Sequence, residues 1–276
     1  MSDDTPKHWN QGSFGAGVKI GNWNEDMYLK EESMAKFLIK HDGKELGFHK
    51  TDALKASATA PAPVGGAAEG TLSFGDAVML EHRAGAATLG SLPSVHAEAG
   101  EGRMLVTGIG MGANDDHQPI VRNVFTIEPF TGDQAIGSPV TFGDKFCLRC
   151  DHPTQRGEVL YLGSETQHLQ SAASRYSGEQ VVNLRASRDE IVGSYGVAWV
   201  VELQDPNFRL EAEGTPIPTN TGVVIKHVLT AKLLSCNFEL RKKMVSEFGA
   251  EHEVTCGTKM TRAKVEGPEN TWIFKN

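Results

Sequence analysis

Short apolar runs that alternate with polar positions, separated by Gly, Pro and Asn, dominate the chain from about residue 71 to its end. This pattern is typical of short β-strands joined by turns. Its clearest example is the stretch 142–150, Phe-Gly-Asp-Lys-Phe-Cys-Leu-Arg-Cys, which predicts a turn followed by a buried strand. A close copy lies at 74–82 and a more divergent copy at 219–227. The three copies therefore indicate internal repeats.

Other features recur three times in the same order, at similar spacing. The recurring positions are Leu89-Gly90-Ser91, Leu162-Gly163-Ser164 and Leu233-Leu234-Ser235; Val106-Thr107, Val182-Asn183 and Val254-Thr255; and Phe125, Trp199 and Trp272. Ordered recurrence of several markers predicts three units of about four strands each, at 71–127, 128–205 and 206–276. Three such units are what a β-trefoil requires, so we expect a mainly β fold with a closed barrel and few free sheet edges.

Alternation along the first strand of each unit assigns its residues to an inner and an outer face. The side chains expected to point into the shared core are Val78, Leu80, Phe146, Leu148, Val223 and Ile225. Phe125, Trp199 and Trp272 are expected to be equivalent bulky residues of the same core.

The N-terminal region has a different pattern. Residues 1–23 show neither a helical nor a strand period, which predicts an extended arm. Met27, Met34 and Leu38 then share one face, with the pair Glu32–Lys36 on the solvent side, so we expect an amphipathic helix at about 25–40. Asn22 and Asn24 are the candidate N-caps. The helix either packs on its own domain or binds a partner together with the arm.

An Ala/Pro/Gly-rich segment at 56–70 predicts a linker. It separates an N-terminal region of 1–55, comprising the arm and the helix, from the β domain of 71–276.

Charge and composition limit the partners. The 276 residues carry a net charge of −8 with neutral histidines, and the sequence pI is about 5.7. An acidic surface argues against nucleic acid and anionic membrane as main partners. We expect no membrane span and no signal peptide, since the N-terminus is acidic without an apolar core. Four cysteines without a secretory signal suggest reduced thiols in the cytosol.

Two cysteine and histidine patterns invite a metal. Cys147 and Cys150 form a lone CxxC, but strand alternation places them on opposite faces, so buried thiols are expected rather than a zinc or redox site. His82, Cys150 and His227 are equivalent positions that could approach one another; ordinary strand-end residues are the favoured interpretation. The sequence predicts no metal site and no cofactor.

No catalytic residues are predicted. The glycines at 108–112 are not followed by a helix pattern, so a loop is favoured over a nucleotide site. Asp115, Asp116 and His117 could bind a cation, although a solvated loop is the default. No Ser, Cys or Lys lies in a recognisable nucleophile motif. We therefore expect a protein that is not an enzyme.

The third unit resembles the MIR module. Its matching stretches are 222–227, Gly-Val-Val-Ile-Lys-His; 230–235, Thr-Ala-Lys-Leu-Leu-Ser; 253–256, Glu-Val-Thr-Cys; and 270–273, Asn-Thr-Trp-Ile. The match of the first unit is weaker, and the second unit departs at 184–194. The MIR module is a β-trefoil motif of receptor and protein-mannosyltransferase chains, which implies an interaction domain by analogy of fold.

The arm carries a second resemblance. Residues 14–32, Phe-Gly-Ala-Gly-Val-Lys-Ile-Gly-Asn-Trp-Asn-Glu-Asp-Met-Tyr-Leu-Lys-Glu-Glu, resemble the start of the cilia- and flagella-associated protein 161 family. The block Gly-Asp-Ala-Val-Met-Leu at 75–80 also fits that family. The resemblance covers most of the chain, and the linker and first residues depart from it.

This second resemblance implies a structural microtubule inner protein of the cilium or flagellum. Such a protein lies in the lumen of the axonemal doublet, here the A-tubule, binds α/β-tubulin and other microtubule inner proteins, and stabilises the doublet for motility. An arm that becomes ordered on assembly would suit that role. The residues expected to contact partners are Phe14, Gly15, Gly17, Val18, Ile20, Gly21, Asn22, Trp23, Asn24, Tyr28 and Leu29, with Trp23 as an aromatic anchor.

Two other functions remain open. A ligand- or carbohydrate-binding β-trefoil would need aromatic and polar groups at three related shallow sites, and the sequence shows no such set. An enzyme built on a trefoil ranks last.

Overall fold

A computed structural model describes residues 22–65, 70–93, 103–110, 118–151, 158–167, 173–174, 176–186, 194–238 and 244–276. The helices are α1 (Asn22–Asp42), α2 (Gly47–Ala58) and the short α3 (Arg209–Ala212). The strands are β1 (Ala77–His82), β2 (Ala87–Leu92), β3 (Arg103–Gly110), β4 (Val124–Pro129), β5 (Lys145–Cys150), β6 (Leu160–Ser164), β7 (Gln180–Ala186), β8 (Trp199–Leu203), β9 (Gly222–His227), β10 (Leu234–Asn237), β11 (Met244–Ser246), β12 (Gly249–Cys256) and β13 (Thr271–Lys275). The fold is therefore mainly β, as predicted.

The chain divides into two compact units, residues 1–50 and 51–276. The first unit contains α1, which is longer than the predicted helix of 25–40 at both ends. Asn24 therefore lies inside the helix and is not its N-cap, whereas α1 begins at Asn22. The predicted pair is present, with Lys36 Nζ 2.6 Å from Glu32 Oε1. The helix α2, which the sequence pattern did not predict, begins in this unit.

Six strands of the second unit close into a ring. Antiparallel pairing runs from β1 to β4, β5, β8, β9 and β13, and from β13 back to β1. A closed ring leaves no free backbone edge among these six strands. The side chains on its inner side then form one continuous core.

Three hairpins accompany the ring: β2–β3, β6–β7 and β10–β12. Their second strands also pair with one another, β3 with β7, β7 with β12, and β12 with β3. The short β11 extends β12 as an outer strand. The predicted units of 71–127, 128–205 and 206–276 thus contain β1–β4, β5–β8 and β9–β13, with β4 ending two residues beyond the first boundary.

The predicted core residues are buried. Val78, Leu80, Phe146, Leu148, Val223 and Ile225 are all within 1% of complete burial, and Phe125, Trp199 and Trp272 are fully buried. Each indole also has its N–H satisfied by a backbone carbonyl: Trp199 Nε1 donates to Leu162 O at 2.8 Å, and Trp272 Nε1 donates to Leu234 O at 3.0 Å. The two tryptophans therefore fill equivalent positions with equivalent hydrogen bonds.

The first half of the segment 56–70, predicted to be a linker, is instead part of the folded structure. Residues up to Ala58 belong to α2, and Ala58 is fully buried. The following backbone pairs with the loop before β4: Arg122 N–H donates to Ala58 O, Val121 N–H to Ala60 O, and Ala62 N–H to Pro119 O, at 2.9–3.1 Å. Small Ala and Pro side chains allow this close approach. Within the second unit, residues 58–62 are therefore hydrogen-bonded to the loop before β4 and do not form a flexible linker.

Candidate partner-binding surface

Most of the predicted contact residues lie outside the described residues. These are Phe14, Gly15, Gly17, Val18, Ile20 and Gly21. Asn22, Trp23 and Asn24 form the first turn of α1, where the structure describes the backbone only. Tyr28 and Leu29 are described in full and are exposed by 65% and 62%. The structure thus brings the last five predicted residues onto one helix, and their contacts with a partner stay a prediction.

Large apolar side chains are exposed on several sides of the first unit. Besides Tyr28 and Leu29 they are Phe37, Leu38, Ile39 and, on α2, Phe48, each about half or more exposed. We call these six residues the helical surface. Tyr28 and Ile39 are about three helical turns apart and share one side, whereas Leu29 lies near Lys36 on the charged side. Exposed apolar side chains gain free energy when another surface removes them from water, so the helical surface is a candidate binding surface.

An aromatic cluster joins α1 to the start of α2. The ring centroids of Phe37 and His41 are 6.1 Å apart, those of His41 and His49 are 5.5 Å apart, and those of Phe48 and His49 are 3.9 Å apart. These contacts fix the turn between the two helices within the first unit. The sequence pattern missed this cluster, although the repeated Phe and His residues at 37–41 and 48–49 were its visible signal.

The CxxC cysteines are buried free thiols on opposite faces of β5, as predicted. Cys150 belongs to the core inside the ring, whereas Cys147 packs outside it with Phe130, Tyr161, Val197 and Ala198. Burial raises the pKa of the Cys147 thiol to about 12, and the nearby Glu128 adds to this. Such a thiol is protonated and a poor nucleophile.

The three equivalent strand-end positions each pair with a large aromatic residue of the core. Cys150 is the cross-strand partner of Phe125, and His227 is that of Trp199. The His82 ring lies 5.1 Å from the Trp272 ring. His227 Nδ1 lies 2.9 Å from Thr230 Oγ1, and its Nε2 lies 3.1 Å from Gly196 O. These contacts fit the strand-end interpretation, and burial lowers the pKa of both histidines.

A buried ion pair lies on the outer side of the hairpins. Arg122 Nη2 is 2.8 Å from Glu251 Oε1, and both side chains are about 95% or more buried. Arg122 Nε donates to Ser91 O at 2.9 Å, Thr107 Oγ1 donates to Glu251 Oε2 at 2.6 Å, and the guanidinium lies 4.1 Å from the Phe248 ring. The pair therefore ties the loop before β4 to β3 and β12.

A second polar network continues along the same face of β12. Asn237 Nδ2 donates to Glu253 Oε2 at 2.9 Å and to Thr255 Oγ1 at 3.1 Å. Ser174 contacts Glu253, and Lys259 contacts Glu179. These hydrogen bonds fasten two loops to the hairpins. Neither network is visible in the sequence, because Glu251 and Glu253 occupy alternate strand positions as solvent-facing side chains do.

Two further patterns give no site among the described residues. Gly108 and Gly110 belong to β3 and not to the loop expected for the glycines at 108–112, and residues 111–117 lie outside the described residues. Within the described ranges, no group of three or more His, Cys, Asp or Glu side chains is placed to hold a metal ion. In the same ranges, no helix is both long and apolar enough to span a membrane.

Comparisons with known proteins identify the family. Residues 107–276 match the family model of the cilia- and flagella-associated protein 161-like domain. The chain is 32% identical to Cilia- and flagella-associated protein 161 of Bos taurus over 274 residues, covering 96% of this chain and 82% of that protein. The chain belongs to the cilia- and flagella-associated protein 161 family. The family member of Mus musculus is also 32% identical, over 278 residues, covering 96% of this chain and 88% of that protein.

A solved structure supports the fold of this family member. The SDF2-like protein of Arabidopsis thaliana superposes with a TM-score of 0.54 at 20% identity, covering 75% of this chain and 95% of that one. At this identity the similarity concerns the fold alone. Because the matches to family members cover nearly the whole chain, they extend beyond the β domain into the region that contains α1.

Proposed function

We propose that this protein is a structural microtubule inner protein of cilia and flagella. It binds the lumenal wall of the axonemal doublet, in the A-tubule, and stabilises the doublet for motility. Its partners are α/β-tubulin and neighbouring inner proteins, and it has no catalytic role. The proposal rests on membership of the cilia- and flagella-associated protein 161 family.

The observation that carries the binding role is the exposure of the helical surface. Six large apolar side chains on a helix pair would each favour burial by about 1.5–3 kcal/mol if a partner covered them fully. Tyr28 and Leu29 follow directly on the arm residues expected to contact the same partners. The arm and α1 would then form one continuous binding element, which a lumenal protein needs in order to hold its neighbours.

We further propose that the second unit is a β-trefoil with three repeats. The closed ring of six strands and the three mutually paired hairpins support this assignment. A body with many paired strands is stiff, so forces on the doublet wall would be carried across it without local unfolding. The β domain supplies rigidity, and the arm and α1 supply attachment.

The test is fractionation of axonemes from ciliated cells that express only a tagged version of this chain. We expect the full chain to resist extraction by detergent and high salt and to be released when the doublets break down. Release by detergent or salt alone would contradict the lumenal assignment. Immunogold labelling of opened doublets separates lumenal from outer-surface binding.

Variants identify the attachment element. Tyr28→Ala with Leu29→Ala in the full chain should reduce incorporation into axonemes, because both side chains are exposed and make no core contact. The matched control is Val245→Ala with Met260→Ala, two exposed apolar side chains of the second unit that no part of the proposal uses. Equal incorporation of both double variants would show that α1 is not the attachment element.

A further inference from the structure

A groove lies on the outer wall of the barrel in the second unit, apart from the helical surface. It crosses β8 and β9 and is walled on one side by the turn and helix over 206–212. Its volume is about 580 Å³. The residues that line it include Val200, the charged pair Glu202 and Lys226, and the apolar residues Leu210 and Val228.

Exposed apolar side chains gather around this groove. The described part of the second unit exposes ten large apolar side chains. Four of them are Tyr195, Phe208, Leu210 and Leu229. Leu210 lines the groove and is 82% exposed, Phe208 lies in the same turn, and Leu229 follows Val228. Clustered exposed apolar side chains mark protein-binding surfaces, whereas isolated ones need no explanation.

Two lysines give this surface its chemical preference. Lys145, Val200 and Lys226 are cross-strand neighbours on β5, β8 and β9, so the two ammonium groups flank Val200 in one row. Lys145 is exposed, and its Nζ lies 5.1 Å from the centroid of the Tyr195 ring. Among the described residues, no carboxylate lies within ion-pair distance of Lys145.

The carboxylate beside Lys226 is already engaged on both oxygens. Glu202 contacts Lys226 through Oε1, and its Oε2 lies 3.2 Å from Nη1 of Arg209. Arg209 also pairs with the nearly buried Glu266 and donates to Leu203 O. Lys226 therefore shares its carboxylate with Arg209, and Lys145, on the other side of Val200, has no such partner among the described residues. The row across Val200 thus carries two ammonium groups, of which one is unpaired.

We infer that this groove, formed by β8, β9 and residues 206–212, binds an extended segment of a partner protein that carries apolar side chains and a carboxylate. The apolar side chains cover Leu210 and Val228, and the carboxylate lies between Lys145 and Lys226. Glu213, on the side of the groove beside Gly143, opposes a second carboxylate there. The groove thus selects both the charge and the direction of the segment, since unlike charges attract and like charges repel across a partly desolvated surface.

The test is selection from a displayed library of random linear peptides against the full chain. Peptides retained by the double variant Lys145→Glu/Leu210→Ser are removed. We expect the remaining peptides to share a carboxylate residue among apolar residues. A failure to enrich any peptide, or enrichment of basic or purely apolar peptides, overturns the inference.

Binding of one enriched, fluorescently labelled peptide is then measured by anisotropy. Lys145→Glu and Leu210→Ser should each weaken binding about tenfold, equivalent to about 1.4 kcal/mol. Glu213→Gln should strengthen it, because a like charge is removed. Lys264→Glu and Val245→Ser are the matched controls, since both residues are exposed and neither lines the groove, and they should leave binding unchanged. Equal effects of test and control variants would overturn the assignment of the groove.

Discussion

The buried pair Arg122–Glu251 allows a quantitative test of how the loop before β4 is held. Its two charges lie away from water, and the structure gives each of them further hydrogen bonds, to Ser91 O for the guanidinium and from Thr107 for the carboxylate. Burial lowers the pKa of Arg122, and the charge of Glu251 opposes this effect. The stability of the region should therefore depend strongly on both partners being present.

The magnitude follows from the burial of the pair. Removing one partner leaves an uncompensated charge inside the protein, which costs about 3–5 kcal/mol of unfolding free energy. We expect that cost for Arg122→Met and a similar one for Glu251→Gln, in which the amide keeps the shape and loses the charge. The double variant Arg122→Met/Glu251→Gln removes both charges. It should cost at least about 2 kcal/mol less than the sum of the two single effects.

Urea unfolding followed by tryptophan fluorescence measures these costs, since Trp199 and Trp272 lie in the core. The matched control is Lys275→Met, which removes a half-exposed ion pair with Glu81 at 3.6 Å. The control should change the unfolding free energy by about 0.5 kcal/mol or less. Single variants that cost less than about 1 kcal/mol, or a double variant whose cost equals the sum, would refute the argument from burial.

Three further predictions concern the core. Gly163→Ala should destabilise the protein by about 1–3 kcal/mol, because the added Cβ would lie 2.6 Å from Gly196 O. The control Gly110→Ala should be close to neutral, because its Cβ would meet no atom within 4 Å. Thermal melts measure both variants. The unfolding free energy should fall as the pH drops below about 6.5. Burial holds the pKa of His82 and His227 below the value in the unfolded chain, so the unfolded chain takes up these protons first. Urea titrations at several pH values measure this, and an unfolding free energy that rises on acidification would contradict it. The four buried thiols should react with a thiol reagent only after denaturation, and rapid reaction of the folded protein would exclude the burial described here.

The inner core could be predicted from the sequence because the same pattern occurs three times. A single apolar run is ambiguous, but copies at 74, 142 and 219 fix both the strand and its inward face. Val78, Phe146 and Val223 are accordingly buried together in one core. The physical reason is that a closed ring leaves every inward position the same environment, so equivalent positions accept residues of similar size.

The same reasoning explains why Cys147 and Cys150 of β5 do not form a ligand pair. Cys147 has Met79 and Val224 at the equivalent positions, and Cys150 has His82 and His227. The strand alternation separates the two thiols onto opposite faces, which the structure bears out. The CxxC spacing suggested a pair of metal ligands, but side chains three positions apart on a strand point to opposite faces.

The polar networks on β12 could not be predicted, because burial there is decided by loops far away in sequence. Arg122 and Glu251 are 129 positions apart, and Ser174 and Glu253 are 79 positions apart. Nothing local distinguishes Glu251 from a solvent-facing glutamate of an edge strand. The helix α2 was missed for a related reason: its residues show no apolar stripe, and its only fully buried side chain is that of Ala58.

The distribution of exposed apolar side chains connects the fold with the proposed role. The ring and hairpins bury nearly all large apolar side chains of their own strands, and pairing satisfies their backbone groups. Such a body offers few backbone edges for addition of a partner strand, so partners must bind through side chains. Among the described residues, such side chains lie on the helical surface and beside the groove formed by β8, β9 and residues 206–212. Two separate attachment surfaces suit a protein that holds neighbouring molecules together, since tethering at both raises the overall affinity beyond that of either alone.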